Sequence, residues 1–61
     1  MGKVYVVNWD REGVYVFKHK ADAILKVEEI TGVREAEWSY NNGDLDEDGR
    51  SVWYHDAEMQ D

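Results

Sequence analysis

His19 and His55 are the only histidines of the chain, and it has no cysteine. Their separation fits no His-x-x-x-His or comparable ligand spacing. The absence of thiols excludes thiolate zinc sites, disulfides and thiol catalysis. Asp56, next to His55, is placed to orient an imidazole, but the nearest hydroxyl, Ser51, is a remote nucleophile. The many carboxylates of residues 44–48 sit in a polar stretch without the burial that tunes a general acid. No glycine-rich phosphate cradle follows a strand. A chain of 61 residues also encloses a substrate pocket of about 300 Å³ or more only with difficulty. Together these features point away from an enzyme.

The sharpest local pattern is Asp44-Leu45-Asp46-Glu47-Asp48-Gly49. It resembles the first half of the calcium loop of EF-hand proteins, in which oxygen ligands alternate along the chain before a glycine makes the sharp turn. That resemblance implies Asp44, Asp46 and Asp48 as side-chain ligands of a calcium ion and Arg50 as a carbonyl ligand. The pattern then departs, because His55 stands where the closing bidentate glutamate belongs and Asp56 comes one residue late. Any calcium site here is expected to be weak, and no other cofactor is implied. The plainer reading is a solvated acidic turn.

Charge is divided unequally. Residues 1–34 hold six basic against five acidic residues, whereas residues 35–61 hold Arg50 alone against nine acids, giving +1 and −8 of the net −7. Such an acidic lobe repels nucleic-acid phosphates and attracts basic protein surfaces, both less strongly in salt. A carboxylate array of this kind can also imitate a nucleic-acid backbone. Its candidate contacts are Glu35, Glu37, Asp44, Asp46, Glu47 and Asp48, with Trp38 and Trp53 as apolar anchors. The opposite constellation is basic and aromatic: Tyr5, Tyr15 and Phe17 with Lys18, Lys20 and Lys26. Rings that stack bases and cations that hold phosphates are the tools of single-stranded RNA binding. RNA is therefore the alternative partner.

The elements that must position these groups belong to one domain, 1–61, because a chain this short has room for a single thin core. With 43% hydrophobic and 13% aromatic residues it folds despite its charge. No segment approaches the ~18 apolar residues of a membrane span, and the start lacks a signal-peptide pattern, so the expected location is cytoplasmic, without membrane contact. Residues 3–9 and 14–18 read as strands joined by a turn at Asp10-Arg11-Glu12-Gly13. Residues 21–31 take helical period, with Ala23, Ile24, Val27 and Ile30 on one arc and Gly32 as a left-handed cap. Residues 35–40 alternate like a half-buried strand, 41–50 form the acidic loop, 52–54 form another strand, and the tail 56–61 is expected to fray.

The fold class is thus α+β: a small β-β-α-β-β domain, an antiparallel sheet with one helix packed on one face. The small valines Val4, Val6, Val14 and Val16 make a bed for that helix. On this reading the aromatics of the same strands lie on an uncovered face, open for a ligand, for a homodimer or swapped strand, or covered by the chain's own ends. Leu25, off the helical arc, is a secondary contact candidate.

In brevity, in lacking cysteine and proline, and in its acidic block Asp44–Asp48 and tail Asp56–Asp61, the chain resembles the small host-takeover proteins of lytic bacteriophages, including those of Bacillus. The likeness is one of character, with no motif to align. It implies a non-enzymatic protein that binds a host macromolecule and changes its activity in the bacterial cytoplasm.

Overall fold

The computed structural model describes residues 2–59. Strands β1 (Gly2–Trp9) and β2 (Gly13–Phe17) precede helix α1 (Lys20–Thr31). A 3-10 turn at Glu35–Glu37 follows, then strands β3 (Gly43–Leu45) and β4 (Ser51–Met59). All strand pairs are antiparallel, in the order β2-β1-β4-β3. The α+β class and its element order therefore hold, with the first and last strands side by side at the centre of the sheet.

The first hairpin forms as its residues dictate. β-Branched and aromatic side chains fill both strands. Glu12 N–H donates to Trp9 C=O at 3.1 Å, and Gly13 takes a φ of 111° that other residues resist. The helix ends as expected too: Gly32 is left-handed, at φ 73°, and its N–H donates to Glu28 C=O at 2.7 Å. Ala23 and Val27 are fully buried, with Ile24 and Ile30 packed beside them, while Leu25 stays exposed.

The helix lies on the face opposite to the expected one. Val7, Ala23, Val27, Val52 and Tyr54 form the core, and Tyr5, Trp9, Tyr15, Phe17 and Trp38 pack against it. Val14 and Val16 are left exposed. The register explains the choice, since β4 sets Tyr54 beside Val7 and Val52 beside Trp9. That gathers the large rings of three strands on one face, and covering them removes far more apolar area from water than covering valines.

Two further expectations are corrected. Residues 35–40 do not form a strand: 35–37 coil into a 3-10 turn and only Tyr40 bridges, to Gly43. The coil lets the Trp38 ring meet Tyr54 edge-on, 6.0 Å between centroids, while its indole N–H donates to Val33 C=O at 2.8 Å. A strand would have left that half-buried N–H without this partner. The third strand lies instead inside the supposed acidic loop, at Gly43–Leu45. Nor does the tail fray as far as Met59, because β4 pairs with β1 all along, to Gly2 opposite Met59. Residues 60–61 of the predicted tail lie outside the described residues.

Candidate protein-binding site

Strand pairing brings together two loops that are far apart in sequence. The β1–β2 turn at 10–12 lies beside the β3–β4 loop at 46–50, joined by Asp10 N–H donating to Ser51 C=O at 3.0 Å. Three side-chain links fasten them. Trp9 Nε1–H donates to Asp46 Oδ2 at 2.7 Å, Arg11 pairs with Asp48 at 2.5 Å, and Arg50 pairs with Asp10 at 3.5 Å. The outcome is an acidic end holding Asp10, Glu12, Asp44, Asp46, Glu47 and Asp48 against Arg11 and Arg50.

Within that end, Asp46 is an internal brace and not a contact. Its side chain is among the buried ones, and its Oδ1 accepts the Asp48 and Arg50 backbone N–H groups at 2.9 and 2.8 Å. The Trp9 indole N–H and these two backbone donors, with Arg11 nearby, hold its carboxyl below the ordinary aspartate range, against the opposing pull of burial. Asp44 also turns inward, accepting N–H donation from Leu45 at 2.8 Å and Ser39 at 3.3 Å. The three aspartates implied as calcium ligands thus aim at three different sets of partners. Among the described residues no three His, Cys, Asp or Glu side chains converge as a metal site would need.

The remaining expected contacts are scattered. Glu47 and Asp48 are exposed on the loop, and Glu35 and Glu37 are exposed on the 3-10 turn. Trp38 is committed to the core and is not free to anchor a partner, whereas Trp53 is 41% exposed on the side of the sheet away from the helix. Asp10 and Glu12 were not apparent as members of this site from the sequence. Asp10 reaches that loop through Arg50 and the Ser51 carbonyl, and Glu12 is carried there by its neighbours Trp9 and Arg11, which pair with Asp46 and Asp48 across 37 positions; no local signal exists for such pairing.

The aromatic–basic face is closed. Tyr5, Tyr15 and Phe17 point toward the helix and are half-buried against the core. Lys26 Nζ covers the Tyr15 ring at 4.8 Å from its centroid, taking the place a base would stack on. Lys18 and Lys20 are exposed at the strand–helix junction, and Lys20 borders a cleft of about 240 Å³ with Tyr5 and Tyr54, in which Asp56 sets a carboxylate where a phosphate would have to enter. The open-aromatic-face expectation fails for the same reason that the helix changed sides.

His55 and Asp56 do not form a dyad. The His55 Nδ1 lies 3.2 Å from the Asp56 backbone oxygen, while the Asp56 carboxylate pairs with Lys3 at 3.2 Å and is held below its ordinary value chiefly by that bond. A surface cleft of about 340 Å³ runs along β3, between Tyr40, Leu45 and Trp53. Among the described residues no helix is long and apolar enough to cross a membrane. No family model, curated protein or solved structure matches the chain.

Proposed function

We propose that this is a non-enzymatic binding module that docks its acidic end on a basic protein surface. The observation that carries the reading is the joining of two loops into one acidic end by the Trp9–Asp46, Arg11–Asp48 and Asp10–Arg50 links. Carboxylates fixed in advance lose less conformational freedom on binding than the same groups on a mobile loop. They also steer a cationic partner over a Debye length of about 8 Å at physiological salt. Asp10, Glu12, Glu47 and Asp48 are the contacts, with Asp46 as the internal support. The resemblance to phage host-takeover proteins adds that the partner is a bacterial cytoplasmic macromolecule whose activity the docking changes, a basic nucleic-acid-binding surface being the natural fit.

The test is capture of partners from bacterial lysate by the tagged protein, with and without ribonuclease, beside a Glu12→Gln/Glu47→Gln variant. Neither glutamate takes part in the three links, so the variant keeps its structure. A protein band that survives nuclease, fades with salt and weakens in the variant supports the reading. Recovery of RNA, or a band indifferent to both salt and the substitutions, overturns it.

A further inference from the structure

The face of the sheet turned away from the helix is apolar and free of acid. Register assigns its positions: Val6 lies opposite Val16 and His55, Val4 opposite Ala57, and Asn8 opposite Val14 and Trp53. Val14 and Val16 are 59% and 61% exposed. Of the exposed large hydrophobic residues, Leu45, Trp53 and Met59 share this face with those valines. No aspartate or glutamate occupies a paired position on it, whereas Asp44, Asp56 and Glu58 all fall on the helix side. In a chain of net charge −7, this is a broad surface on which two copies can meet without opposing carboxylates.

We propose that a second copy of this chain covers the open face, sheet against sheet, with Trp53 of the central strand β4 and Val14 and Val16 of the edge strand β2 in a two-fold interface. The area is sufficient and no more than sufficient. Strands of 8, 5, 3 and 9 residues, at roughly 3.3 Å per residue and about 4.8 Å apart, give ~400 Å² of flat area per copy. With side-chain relief, the pair buries about 1,000 Å², the lower bound of a specific interface. A two-fold axis makes the contact self-complementary, so valine ridges meet valine ridges and Trp53 finds the partner's apolar surface. The acidic end lies in the loops at one end of the strands and stays exposed, so this inference does not depend on the function proposed above.

Sedimentation equilibrium of the full chain tests it, over roughly a hundredfold range of concentration that reaches the weak affinities usual at the low end of interface size. The wild type is expected to move from one to two chain masses. Association should tighten several-fold as salt rises, because screening relieves repulsion between two strongly acidic copies. That is the opposite salt response from docking on a basic partner, so the two ideas fail separately. Val16→Glu places a carboxylate on the apolar face, at a solvent-exposed position of the edge strand β2. It should stay monomeric throughout with an unchanged far-ultraviolet circular dichroism spectrum, and Trp53→Lys is the second variant, expected to behave alike. A wild type that remains monomeric at every concentration overturns the proposal. So does a dimer that persists in both variants, which would place the contact at the free edge of β2 or elsewhere.

Discussion

Truncating valines on opposite faces of the sheet tests the reversed helix placement directly. Val7 is completely buried under the helix, whereas Val16, on the adjacent strand, is mostly exposed. Val7→Ala removes two methyl groups from a packed core, about 1.6 kcal/mol at ~0.8 kcal/mol per buried carbon. The cavity adds about 1 kcal/mol, at ~24 cal/mol per Å³ over roughly 40–50 Å³. Both substitutions carry a loss of strand propensity of up to ~1 kcal/mol, which largely cancels between them. The expected difference is thus about 2 kcal/mol, out of a total stability of ~3–9 kcal/mol for a chain this size. Urea unfolding followed by tryptophan fluorescence, at a chain concentration well below self-association, reads it as a midpoint about 2 M lower for Val7→Ala, given a slope near 1 kcal/mol/M. Equal losses, or a greater loss at Val16, would refute the assignment of the core to the aromatic face.

Two other predictions concern the acidic end and its support. Because the Asp46 carboxyl is held below its ordinary value when folded, it contributes stability above about pH 4 that is lost as pH falls through the folded value. Trp9→Phe removes the largest cause of that depression. Its acid unfolding, followed by near-ultraviolet circular dichroism, should begin at higher pH than in the wild type, and coincident acid limbs would count against the brace. Lys3–Asp56 is present in both proteins and does not affect the comparison. At Gly43 a Cβ would collide with the Val52 carbonyl oxygen and lie 2.8 Å from Trp53 Cα. Gly43→Ala should therefore detach β3, costing about 1–3 kcal/mol, with amide exchange accelerating at 43–45 while β1 and the middle of β4 stay protected. Protection unchanged at 43–45 would show that the β3–β4 pairing accommodates the added Cβ without detaching.

Local chemistry made the helix legible: the spacing of Ala23, Val27 and Ile30 and the glycine at 32 define its buried arc and its end without reference to anything distant. The β1–β2 hairpin was legible for the same reason, as Gly13 closes a turn between two runs of strand-forming residues. The division of charge was equally plain, since it is a property of composition. Tertiary pairing decided the rest. Whether Val4, Val6, Val14 and Val16 or Tyr5, Tyr15 and Phe17 would lie under the helix depended on which face β4 reinforced, and only its register, placing Val52 and Tyr54 beside Trp9 and Val7, tipped the balance. The same register united Asp10 and Glu12 with residues 46–50, and turned Asp46 from a plausible ligand into a brace for Trp9. A period-two pattern states which residues share a face, but the side that is covered depends on the summed apolar area of strands that meet only after the chain has folded.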